Sequence, residues 1–112
     1  MKKVQAIVRP EMLEPLKDAS KQAGFGGMTV AAVHGCGTQG GWKEYFRGSE
    51  IMVNMLPKMS CEFVVEDDQT ERLIDVIVET CRTSNVGDGK IFVSPVEEVV
   101  RIRTGERGGA AL

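Results

Sequence analysis

Thr83-Ser84-Asn85-Val86-Gly87-Asp88-Gly89-Lys90-Ile91-Phe92-Val93 sets a glycine turn directly against a short apolar strand. Glycines at 87 and 89 let the backbone take positive φ and let a ligand come close to main-chain N–H groups. Lys90 puts a cation at the lip of the turn, and Ile91-Phe92-Val93 reads as a short buried strand bounded by turn residues. A nest of amides beside a lysine suits a phosphate. A plain connecting turn is the alternative. The P-loop pattern G-x-x-x-x-G-K-[ST] is absent, and a strand rather than a helix follows the glycines.

Immediately upstream, Leu73, Ile74, Ile77 and Cys81 form an apolar stripe at helical spacing, ending near Arg82. Asp67-Asp68-Gln69-Thr70-Glu71 is an acidic start that suits the positive end of a helix. Before it, Met59, Cys61, Phe63 and Val65 alternate with Lys58, Ser60, Glu62 and Val64, the pattern of a strand with one face on the core. Lys58 and Glu62 lie on the other face, which is either a surface or a site. At the start of the chain, Lys3 to Arg9 reads as a strand with Val4, Ala6 and Val8 on one side, stopped by Pro10. A helix follows from Leu13 or Glu14, with Pro15 tolerated in its first turn and Gly24 as its stop. Met28 to Val33 is a further strand, closed by His34-Gly35-Cys36-Gly37.

Between Gly37 and about Met55 there is no sustained periodicity. A loop this long in a compact domain signals function or disorder. It carries the only Trp and the only Tyr, together with Phe46 and Arg47, residue types that anchor protein interfaces. A long hairpin with a solvated tip is the other reading. After Pro95, Val96 to Val100 is ambiguous between a helical turn and a strand. Arg101-Ile102-Arg103, if extended, places two guanidinium groups on one side, which suits either a polyphosphate or a solvated basic edge. Thr104 to Leu112 reads as a flexible tail.

The length of 112 residues and hydrophobic content of 42% describe one domain, residues 1–112, with a real core. A formal net charge of −2 argues against general nucleic-acid or anionic-membrane binding. No apolar run has the length of a membrane span, and Met1-Lys2-Lys3 leads into a strand rather than a signal segment. Cys36, Cys61 and Cys81 lack metal-ligand spacing and read as free thiols of a reducing cytosol. The order β-α-β-β-α-β is that of an α+β, ferredoxin-like sandwich: a four-stranded antiparallel sheet, both helices on one face, the long loop between the second and third strands. The other sheet face needs a cover, and trimer formation would supply one.

The motifs Gly87-Asp88-Gly89-Lys90-Ile91-Phe92-Val93 and Arg101-Ile102-Arg103-Thr104-Gly105-Glu106 resemble the C-terminal signature of the nitrogen-regulatory PII signal-transduction proteins. The resemblance runs the length of the chain, through Arg9-Pro10, Gly27-Met28-Thr29-Val30, Gly35, Gly37 and Gln39, Tyr45-Phe46-Arg47-Gly48-Ser49-Glu50 and Leu56-Pro57-Lys58. It implies a cytoplasmic homotrimer with ATP or ADP in each cleft between subunits. Gly87, Asp88, Gly89 and Lys90 would hold phosphates, with Arg101 and Arg103 reaching in from the neighbouring subunit. Ile7, Thr29, Gly35, Cys36, Gly37, Thr38, Glu62, Val64 and Phe92 would line the adenosine, with Gln39 beside them. 2-Oxoglutarate would sit at the loop base, among Gly37, Thr38, Gln39, Gly40, Gly41, Lys58 and Gly87. There Mg²⁺ would bridge it to ATP, Gln39 would ligate the metal and Lys58 would pair with a carboxylate.

The loop would be the output: Tyr45, Phe46 and Arg47 are expected to contact an ammonium transporter, drawing the protein to the inner face of the membrane without inserting into it. Ile51 stands where many bacterial relatives carry the tyrosine that is uridylylated, so that modification has no hydroxyl here. Ser49 matches a serine phosphorylated in some relatives. Cys36, Thr38, Gly40-Gly41 and Trp42 depart from the commoner residues of the loop base and point to a specialised partner. Control of nitrogenase or glutamine synthetase is the alternative within the family. An RNA-binding module of the same topology would stack bases on sheet aromatics, and this chain lacks that aromatic strand. A small nucleotide-hydrolysing enzyme is the remaining rival; the single His34 and the lack of a nucleophile–base pair favour a regulatory binding protein, with at most slow incidental ATP hydrolysis.

Overall fold

Alternation decides the sheet. Val4, Ala6 and Val8 of β1 (Lys2–Val8) are buried while Lys3, Gln5 and Ile7 are only partly covered, so one side of the strand meets the core. In β5 (Leu56–Val65), Cys61, Phe63 and Val65 do the same. The computed structural model describes residues 1–36 and 55–112 throughout and the backbone alone of 42–46 and 49–53.

The remaining strands are β2 (Thr29–Gly35), β3 (Trp42–Phe46), β4 (Ser49–Val53) and β6 (Lys90–Pro95), and the helices are α1 (Leu13–Gln22) and α2 (Thr70–Cys81). A four-stranded antiparallel sheet has the order β2-β5-β1-β6. Each strand-helix-strand half thus supplies one central and one edge strand, which is the ferredoxin-like arrangement. Leu16 of α1 and Leu73, Ile77 and Cys81 of α2 join Val4, Ala6, Val8 and Phe63 in one core cluster, so both helices cover the same sheet face. The core also explains the thiols. Burial pushes Cys81 up to about 11, with smaller contributions from the neighbouring Cys61 and Asp88, and burial raises Cys61 as well. Both stay protonated and unreactive near neutrality, while Cys36 is exposed.

Helix α1 starts at Leu13, and Pro15 lies in its first turn, where a missing N–H costs nothing. Gly24, at φ +92°, receives the chain after it. Strand β2 runs on through His34 and Gly35, because β5 offers Pro57 and Leu56 as ladder partners. Pro57 is tolerated there: β1 ends opposite Met59, so beyond that point β5 has only β2 beside it.

Two regions carry pairings that no side-chain pattern announces. Within the long connection between β2 and β5, the described residues follow the hairpin reading. Strands β3 and β4 pair antiparallel from Trp42↔Val53 to Phe46↔Ser49. A two-stranded ribbon satisfies its amides across the ladder without needing one apolar face, so it leaves no strong period-two signature. The chain after Thr104, expected to be a flexible tail, is hydrogen-bonded back onto preceding residues. The Arg101 N–H donates to Glu106 O at 2.9 Å, the Gly108 N–H to Val99 O at 3.0 Å, and Gly108–Ala111 close as a 3₁₀ turn. Residues 102–104 form a turn, so the strand alternation that would put Arg101 and Arg103 on one side does not apply.

Candidate functional site

The sheet face away from the helices can be read from register. Thr29, Glu62, Gln5 and Phe92 form one cross-strand row; Ala31, Ser60, Ile7 and Lys90 form the next. Val64 lies opposite Lys3 on the same face. Phe92 is 53% exposed, a large apolar ring left open to solvent in the single chain. Ser60 is nearly covered, and its hydroxyl accepts from Gln5 Nε2 at 3.0 Å.

At one end of this face the turn 83–89 folds over the strand ends. Ser84 has φ +67°, Gly87 +102° and Gly89 +104°. The turn is built around the Asp88 carboxylate, which accepts from the amides of Thr83 at 2.7 Å and Ser84 at 2.9 Å and from the Thr83 hydroxyl. Holding the Ser84 amide in this way offsets the strain of a serine at positive φ. Arg9 Nε lies 3.3 Å from Asp88 Oδ1, and Arg9 Nη2 donates to Val86 O at 2.9 Å. From the other side, Lys58 Nζ donates to Gly87 O at 2.7 Å.

Strand ends and turn enclose a cleft of about 280 Å³. Ile7 comes from β1, Gly35 and Cys36 from the end of β2, and Leu56 and Lys58 from β5. The turn and β6 add Val86, Gly87, Gly89, Lys90 and Phe92. The cleft therefore joins one aromatic ring, two lysines and three glycines without Cβ atoms, enough to seat a flat group at one end and an anion at the other.

Many of the residues expected from the sequence meet here: Ile7, Gly35, Cys36, Lys58, Gly87, Gly89, Lys90 and Phe92. Thr29, Glu62 and Val64 share the sheet face but do not line the cleft. Asp88 directs its carboxylate into its own turn, so its side chain is a scaffold. Arg101 and Arg103 do not line the cleft of their own chain. Arg101 pairs with Glu106 Oε1 at 3.1 Å and donates to Leu112 O at 3.2 Å. Gly37, Thr38, Gln39, Gly40, Gly41 and Arg47 lie outside the described residues, as do the side chains of Tyr45, Phe46 and Ser49. Arg9, Val86 and Leu56 were not singled out for the site from the sequence. Only the position of Arg9, between a strand end and Pro10, hinted that its side chain was aimed. Among the described residues no group of three His, Cys, Asp or Glu side chains could hold a metal, and no helix is long and apolar enough to cross a membrane.

The hydrogen bonds from Thr83, ahead of those from Arg9 and Ser84, hold the Asp88 carboxyl down at about 2, against an ordinary 3.8. A depressed carboxyl contributes stability that is whole above its unfolded value and lost as pH falls through the folded one. Thermal melts between pH 5 and 2 should therefore show a loss centred in the pH 4 to 2 interval that is smaller in Asp88→Asn. Identical acid profiles for the two proteins would show that the carboxylate does not hold the turn.

The nitrogen regulatory protein P-II family model matches residues 1–106. Among curated proteins, the chain is 53% identical to the nitrogen regulatory protein P-II of Microchaete diplosiphon and 50% identical to that of Azospirillum brasilense. The protein of the same name from Rhodospirillum rubrum is 47% identical, and all three alignments span 112 residues and the full length of both chains. Fold and relatives together define a regulatory protein of nitrogen signalling. The chain belongs to the nitrogen regulatory protein P-II family.

Proposed function

We propose that this chain is a P-II sensor that binds ATP or ADP in the cleft under the 83–89 turn. The observation that carries the reading is that one cleft gathers Gly87, Gly89 and Lys90 beside Phe92, Ile7 and Lys58. The glycines give a polyphosphate close access to main-chain amides, Lys90 supplies charge, and Phe92 and Ile7 offer an apolar wall to the base. Three copies of the chain would face their sheets inward, covering Phe92 and Val64, and each would lend Arg101 and Arg103 to a neighbour's cleft. The position of Arg101 in a closed turn, clear of its own cleft, is compatible with lending it.

2-Oxoglutarate is the second ligand of this reading. Lys58 would take one carboxylate, and Gln39 would ligate a Mg²⁺ shared with ATP; the ion supplies charge neutralisation between the two anions. The protein's own part is to position Lys58 at the cleft wall and to keep Cβ atoms out of the turn. The β3–β4 ribbon would carry the outcome to a partner, an ammonium transporter, which the ADP-loaded protein binds and the protein loaded with ATP and 2-oxoglutarate leaves. A ligand changes that equilibrium only by its differential affinity for the two states.

Calorimetry with ATP and ADP, each with and without Mg²⁺ and 2-oxoglutarate, tests the sensor. Both nucleotides should bind, the keto acid only alongside Mg²⁺ and ATP, and Lys90→Gln should weaken ATP by about tenfold or more, the worth of one charge-assisted contact. Absence of heat with either nucleotide removes the reading. For the partner, co-sedimentation with transporter-containing membranes should respond to nucleotide, and retention of that binding by Arg47→Ala would discard Arg47 as its anchor.

A further inference from the structure

We infer that Arg9 is the positioning residue of the 83–89 turn, and through it of the nucleotide cleft. The backbone of Arg9 is held from both sides. Val8 before it is a ladder partner of Met59, and Pro10 after it keeps it out of the helical region, at φ −62° and ψ 143°. Its carbonyl accepts from the Met12 N–H at 2.9 Å. A side chain leaving so fixed a Cα is aimed rather than free. Its guanidinium donates through Nη2 to Val86 O at 2.9 Å and lies through Nε 3.3 Å from Asp88 Oδ1.

Those two acceptors straddle Gly87. A glycine at φ +102° is the most permissive point of the turn, where the flanking peptides would otherwise swing. One planar fork spanning that point fixes both sides at once, which a lysine ammonium on a flexible stem does not do. The carboxylate it approaches is already committed to the Thr83 and Ser84 amides, so Arg9 links the exit of α2, the glycine and the start of β6 into one unit. The side chains of the pair are only 25% and 22% exposed, so the contact is not a fully solvated ion pair of the kind that contributes little. What Arg9 orients is the set of amides at 87, 88 and 89 that a phosphate would meet.

The consequence for affinity rests on the nucleotide reading above; the consequence for the turn does not. The test therefore has two arms on Arg9→Met and Arg9→Lys: amide exchange at 87–89 in the ligand-free protein, and calorimetry with ATP. In Arg9→Met exchange should quicken by about tenfold and ATP affinity fall by about tenfold, with Arg9→Lys between it and wild type in both. Unchanged exchange in both variants overturns the inference. So does quickened exchange with unaltered ATP affinity, since the turn would then be loose without consequence. A lysine variant equal to wild type in both arms would assign Arg9 a charge effect only and also overturns it. Should wild type take up no ATP, the nucleotide reading fails and exchange alone decides the tie: quickening upholds it and constancy removes it.

Discussion

Gly89→Ala should lower stability by about 3 kcal/mol and, on the proposed nucleotide reading, abolish ATP binding, because the new methyl has nowhere to go. A Cβ at this position would lie 1.7 Å from Ile7 O and 2.9 Å from Ile7 C. Both are backbone atoms of a strand bonded on two sides, Ile7 pairing with Ser60 and with Lys90. The strand cannot yield, so the turn must lift. Lifting it removes the Lys58 bond to Gly87 O and the Arg9 bond to Val86 O. The positive φ of 104° adds the penalty of a left-handed conformation, roughly 1–2 kcal/mol for an L-residue. Gly24→Ala separates the two effects. It has φ +92° but nothing within 4 Å of its Cβ, so it carries the conformational penalty alone. Thermal melts should place Gly89→Ala roughly 10 °C below wild type and Gly24→Ala well above it. Equal melting temperatures for the two variants would contradict the close approach of turn and strand.

Phe63→Ala should cost about 3–5 kcal/mol, the range for emptying an aromatic site in a packed core. Phe63 is 2% exposed and sits on β5 opposite Val4, in the middle of the sheet. Strand β1 pairs with it directly, β2 pairs with its neighbour Glu62, and the two helices close the same face, so little can relax into the space. Against a typical total of about 5–15 kcal/mol, that loss takes a large share of the fold's stability. Urea unfolding measures it directly. Phe25 is the contrast: it is 8% exposed and at the edge, with the Arg72 guanidinium 4.4 Å from its ring centre, so its loss should be the smaller. A Phe63→Ala midpoint shift no larger than that of Phe25→Ala would mean that the core is not centred on β5.

The elements that could be read from the sequence are those whose burial is one-sided. Val4, Ala6 and Val8, or Met59, Cys61, Phe63 and Val65, announce a strand because every second residue meets the same core. Leu73, Ile77 and Cys81 announce a helix for the corresponding reason. The β3–β4 pairing was hidden because Trp42 to Val53 carries no such bias. The C-terminal closure was hidden because it depends on main-chain bonds such as Gly108 to Val99, which no side-chain pattern records.

At the site, the glycines, Lys90 and Lys58 were legible as chemistry, and the structure gathers them. The part played by Asp88 was not. A carboxylate between two glycines looks the same in a sequence whether it faces a ligand or its own amides, and only the fold shows it turned toward Thr83 and Ser84. The place of Arg9 before Pro10 hints at an aimed side chain but not at its target, because its partners lie more than seventy positions away. Long-range ties of this kind have no local signature.

Gly35 and Leu56 are direct ladder partners at the end of β2 and β5. The chain between them therefore departs and returns through neighbouring doorposts, and the remainder of the molecule registers only that the doorway is shut. Lengthening, trimming or rewriting the excursion alters a closure entropy that grows slowly with length, while the β2-β5-β1-β6 order of the main sheet stays as it was. Changes of sequence there leave the scaffold's own pairings untouched.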